Sequence, residues 1–60
     1  MGEKLKAARK AAGMTQAQLA EAVGGYQKDI SRWEAGTHEP GALTLKKLAQ
    51  ALGCSMDDLV

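Results

Sequence analysis

Only three residues, Gly24, Gly25 and Tyr26, separate two stretches patterned as helices, Gln16–Val23 and Gln27–Ala35. No other feature constrains this chain as much. Glycine at the head of the link can take the left-handed conformation that ends a helix. A link this short then makes the two helices cross steeply. Ala20 is small at the expected crossing, where a larger side chain would hold the helices apart. The pattern predicts a corner of two helices, the second projecting outward.

The same punctuation recurs along the chain. Gly13, Gly36 and Gly53 also follow helix-like stretches. Start signals alternate with them: Thr15 with Gln18 and Ser55 with Asp58 read as capping boxes, and Gly41 after Pro40 as an N-cap. The expected helices are Gly2–Ala12, Gln16–Val23, Gln27–Ala35, Ala42–Leu52 and Met56–Val60, and nothing alternates in the manner of a strand. Sixty residues predict one domain over 1–60. Leu5, Ala8, Ala12, Leu19, Ala20, Val23, Leu45, Leu48, Ala49 and Leu52 fall at helical spacing and form the expected core. Met14 plugs it and Leu59 closes it.

In the third helix, Ile30 and Trp33 share an apolar face with Glu34 beside them. Gln27, Lys28, Ser31 and Arg32 fall on the opposite arc, carrying an amide, an ammonium, a hydroxyl and a guanidinium, all hydrogen-bond donors. Such a helix is anchored on one side and presents donors on the other.

Composition narrows the chemistry. Hydrophobic residues at 45% and charged residues at 25% are ordinary for a globular chain. One cysteine, Cys54, and one histidine, His38, far apart in sequence, make neither a disulfide nor a metal cluster. Cys54 reads as a packing residue and His38 as an exposed loop residue. There is no nucleophile–base pair, and the adjacent Asp57 and Asp58 do not make paired carboxylates in a plausible cleft, so no catalytic residue, enzyme activity, cofactor or small-molecule substrate is expected. No aromatic platform suited to RNA is present. No apolar run reaches membrane-spanning length and no signal peptide is visible, so the expected setting is cytoplasmic.

The segments TQAQLAEAVG, ISRWEAG and P-x-x-x-T-L-x-x-L-A-x-A-L-G, spread from Leu5 to Leu59, closely resemble the helix-turn-helix domain of the Cro/C1-type (XRE-like) repressors. The matching positions include Gln16, Leu19, Ala20, Val23, Gly24, Ile30, Trp33, Glu34 and Gly36. The resemblance implies a compact five-helix, all-α, lambda-repressor-like fold. It also implies sequence-specific binding of double-stranded DNA through the third helix in the major groove, commonly as a homodimer on a palindromic site. By the same resemblance, Gln27, Lys28 and Arg32 match positions that reach base edges, and Ser31 stands beside them. Gln16 matches a phosphate ligand, with Thr15 at the same helix start. Thr37 and His38 lie where the following loop nears the DNA backbone. Arg9 and Glu34 match a structural ion pair between the first and third helices. The chemistry suits these roles: Arg pairs bidentately with guanine, Gln with adenine, and a helix N-terminus favours an anion.

Four positions depart from the family pattern. Gly25 replaces a hydrophobe of the turn, and Tyr26 replaces the Ser or Thr that caps the recognition helix. The expectation is that the Tyr26 ring packs over the turn and that its hydroxyl reaches a phosphate. Asp29 favours the helix start, where a carboxylate meets the positive end of the dipole, ahead of the alternative of accepting from a cytosine amino group. Glu39 replaces a Lys or Arg, which weakens phosphate binding and flattens the salt dependence. The chain ends at Val60 within a very short fifth helix, as a small controller, a trimmed domain or an engineered minimal module would. A second functional reading is a protein-interaction module that keeps the fold without binding DNA. The net charge of +1 and Asp29 favour it, and the donors gathered on one face of the third helix count against it.

Overall fold

The computed structural model describes residues 1–60 and contains α1 (Gly2–Ala11), α2 (Gln16–Val23), α3 (Gln27–Ala35), α4 (Ala42–Leu52) and one 3-10 turn, Met56–Asp58. It is all-α, with four α-helices rather than the expected five. The segment Met56–Val60 is too short to recover the cost of helix nucleation. Ser55 instead closes a single turn on Asp58: its backbone N–H and its hydroxyl each donate to Asp58 Oδ2 at 3.1 Å. The turn delivers Leu59, fully buried, to the core.

Leu5, Leu19, Ile30, Leu48 and Leu59 are fully buried, with Ala20 and Ala49 nearly so. Each Leu or Ile so placed contributes about 1.5–3 kcal/mol through burial. Ala8, Met14, Val23, Trp33, Leu45 and Leu52 pack around them, half-buried. Ala12 is exposed, contrary to its expected place in the core, because α1 ends at Ala11 and the chain turns there. α3 leans on both α1 and α2, and α4 packs against α2.

Local signals explain the helix boundaries. Thr15 Oγ1 accepts from the Gln18 N–H at 3.1 Å, and the Gln18 side chain accepts from the Thr15 N–H at 2.8 Å. Two of the unpaired donors at the head of α2 are thereby satisfied. At the other end Gly24 takes φ 71°, ψ 26°. The Gly25 N–H reaches the Ala20 carbonyl at 2.9 Å and the Gly24 N–H the Glu21 carbonyl at 3.2 Å, the paired bonds of a Schellman ending.

Two contacts tie α1 to distant parts of the chain. Gly2 lies so close to the end of α3 that a Cβ there would sit 2.9 Å from the Trp33 carbonyl oxygen and collide with that of Glu34. One turn into the helix, Lys4 Nζ donates to the Val60 carbonyl oxygen at 2.7 Å.

Candidate nucleic-acid interface

Tyr26 enters α3 in an extended conformation, φ −114°, ψ 149°. From there Ile30 and Trp33 turn inward, Ile30 fully buried and Trp33 half-buried against the core. Gln27, Lys28, Ser31 and Arg32 are all exposed. Residues four apart stack on a helix surface, so Gln27 lies beside Ser31 and Lys28 beside Arg32. The four side chains form one outward patch.

Behind the patch, Arg9 and Glu34 form an almost fully covered ion pair, their side chains 10% and 4% exposed. Arg9 Nε meets Glu34 Oε2 at 2.6 Å and Nη2 meets Oε1 at 3.2 Å, while Nη1 donates to the Met14 carbonyl at 2.8 Å. Gln16 Nε2 adds a fourth bond, to Glu34 Oε1 at 3.1 Å. One carboxylate thus joins α1, the start of α2 and α3. Burial pushes the Glu34 carboxyl up, but the hydrogen bonds from Arg9 and Gln16 and the charges of Arg9 and Lys6 outweigh it and hold the pKa below the ordinary carboxylate value. The hydrogen bond to Glu34 raises the Arg9 guanidinium further, against the opposing effect of burial. No buried side-chain polar atom lacks a partner.

The positions expected to meet phosphates bracket the patch. Thr15 and Gln16 stand at the head of α2, beside Glu34 near the end of α3. Tyr26 stands before α3, with Thr37 and His38 after it. All of these except half-buried Gln16 are exposed. The Gln16 amide is partly engaged, one N–H going to Glu34, which leaves its other N–H and its carbonyl oxygen. The Thr37 hydroxyl donates to the Arg32 carbonyl at 3.2 Å, and its oxygen lies 3.3 Å from His38 Nδ1. No three His, Cys, Asp or Glu side chains converge as a metal site.

Tyr26 departs from expectation. Its ring does not fold over the turn: the residue is 71% exposed and makes no side-chain cap. The space at Gly25 stays open, since a Cβ there would meet only Val23 Cγ2 at 3.8 Å. The Tyr26 ring instead carries the Lys28 ammonium, 5.8 Å from its centroid. Asp29, half-buried in the first turn, forms no ion pair with Lys28. Sequence reasoning missed the Gln16–Glu34 bond and the Lys28–Tyr26 contact. Helical spacing gives no signal for the second, since residues two apart do not face each other on a helix.

Similarity to known proteins agrees with this geometry. A helix-turn-helix family model matches residues 5–59. The chain belongs to that family. Among curated relatives, repressor protein C2 of Salmonella phage P22 is 42% identical over 60 residues, covering 100% of this chain and 28% of the relative. The HTH-type regulator YonR, derived from the SPbeta prophage of Bacillus subtilis (strain 168), is 37% identical over 59 residues, covering 98% of this chain and 55% of YonR. This helix-turn-helix chain therefore spans between about a quarter and about half of these relatives' length. Its fold matches the P22 c2 repressor solved with a synthetic operator at TM-score 0.93 and 41% identity, covering 98% of this chain and 89% of the other. It matches the biofilm regulator SinR, solved in complex with DNA, at TM-score 0.92 and 28% identity over 100% of both chains.

Proposed function

We propose that this chain is a sequence-specific module for double-stranded DNA, inserting α3 into the major groove, and that it serves as a repressor-like transcriptional regulator. The observation that carries the reading is the exposed patch of Gln27, Lys28, Ser31 and Arg32 on a helix braced from behind by Ile30, Trp33 and the Arg9–Glu34 pair. That two structures so similar in fold are complexes with operator or DNA supports it. Arg32 offers two parallel donors to guanine O6 and N7, and Gln27 a donor and an acceptor to adenine N6 and N7. Lys28 and Ser31 serve base or backbone. Thr15, Gln16, Thr37 and His38 fix the register through phosphates without reading sequence. The module works in the cytoplasm, without a cofactor, as one domain over residues 1–60.

A single module of this size buries a small interface on DNA, and a homodimer on a palindrome doubles it. Half-sites about 34–36 Å apart would then reflect the two-fold axis of the protein.

Selection from a randomised duplex library at moderate salt, repeated with Arg32→Ala, tests the proposal. A short enriched motif that loses a guanine preference in the variant is the expected result, and a palindromic motif identifies the dimer. No enrichment at any salt would sink the reading and leave a protein-interaction module on the same fold.

A further inference from the structure

Lys28 is the one member of the exposed α3 patch held by an aromatic ring, and the ring belongs to the residue that replaces the helix cap. Tyr26 makes no cap hydrogen bond, fills no space over the turn and is 71% exposed, so packing does not account for its place. What the ring does touch is the Lys28 ammonium, 5.8 Å from its centroid. No aspartate or glutamate forms an ion pair with that ammonium. A lysine side chain has a flexible four-carbon stem and loses much rotamer freedom when it binds. An exposed aromatic face that holds the ammonium removes part of that loss beforehand, roughly two- to fivefold in population.

We infer that Tyr26 is a positioning residue for Lys28: its ring holds the ammonium at the head of α3, and the two side chains enter the DNA interface as one unit. The inference rests on the proposed DNA binding through α3. It assigns the ring, rather than the hydroxyl, as the working part of Tyr26.

Two measurements test it. In the free protein, ring current should move the Lys28 ε-methylene protons upfield in the NMR spectrum. The shift should persist in Tyr26→Phe and vanish in Tyr26→Leu, with circular dichroism confirming that both variants fold. On a duplex selected by the wild-type protein, Tyr26→Leu should weaken binding roughly two- to fivefold. Tyr26→Phe should match the wild type, and Tyr26→Leu should have no further effect when Lys28→Met is already present. Unshifted Lys28 protons, an equal loss in Tyr26→Phe, or additive losses in the double variant would each overturn the inference while duplex selection stands. Failure of the wild type to select any duplex would overturn the DNA reading and, with it, the role of the Tyr26–Lys28 pair in the interface.

Discussion

The two helix starts on either side of the turn are built in opposite ways. At the head of α2, Thr15 and Gln18 exchange hydrogen bonds, and Gln16 is tied through Glu34 to Arg9. At the head of α3, Tyr26 supplies no cap and Lys28 rests on an exposed ring. The closed start holds the scaffold together. The open one leaves its first N–H groups and an ammonium on the surface, toward the partner proposed for α3. Local stability is thus gathered at a helix end given only phosphate contacts, and the groups proposed for bases at its neighbour.

The largest test of that division is Glu34→Ala. Removing one partner of a covered ion pair costs roughly 3–5 kcal/mol, which is comparable to the total stability of about 3–9 kcal/mol expected for a chain of sixty residues. Thermal or urea unfolding should show the variant partly or wholly unfolded at 25 °C, and a loss below 1 kcal/mol would show that α2 and α3 are not braced by this carboxylate. Acid probes the same group more gently. The folded pKa of Glu34 is depressed, so the unfolded chain takes up the proton first. The stability it contributes is complete above the ordinary carboxyl value near pH 4.3 and is lost as pH falls through the depressed value. Urea midpoints should therefore fall more steeply on acidification in the wild type than in Glu34→Gln.

Smaller effects separate the two starts themselves. Thr15→Ala opens the closed start and should cost about 1 kcal/mol, read from the urea midpoint. Tyr26→Ser closes the open start and should gain about 0.5–1 kcal/mol while weakening duplex binding. If Tyr26→Ser improved stability and binding together, stability and binding would not be divided between the two starts.

The part of this design that was legible in the sequence is the part written in local chemistry. The boundaries of α2, α3 and α4 follow from caps and glycines a few residues apart, and the structure reproduces them: Gln16–Val23, Gln27–Ala35 and Ala42–Leu52. The Arg9–Glu34 pair came from the family pattern and is present. The misses are of two kinds. Met56–Val60 carries the apolar residues of a helix end but is too short to propagate one. Gly2 reads as an ordinary helix start, and its need for a missing side chain appears only where α1 meets the carbonyls of Trp33 and Glu34. The direction of the Tyr26 ring was illegible for a related reason: the sequence shows a missing cap and an empty position at Gly25, but not which way a ring will turn. The patch of Gln27, Lys28, Ser31 and Arg32 was legible because helical periodicity alone places it opposite Ile30 and Trp33.

The bond from Lys4 to the carbonyl of Val60 sets residues 4 and 60 of this chain one side chain apart. A short peptide joining its ends would restrict only the unfolded chain, by about 4 kcal/mol on loop-entropy grounds. The ring could then be reopened within the exposed Thr37–Glu39 loop, giving a permuted molecule with the same core and a different order of helices.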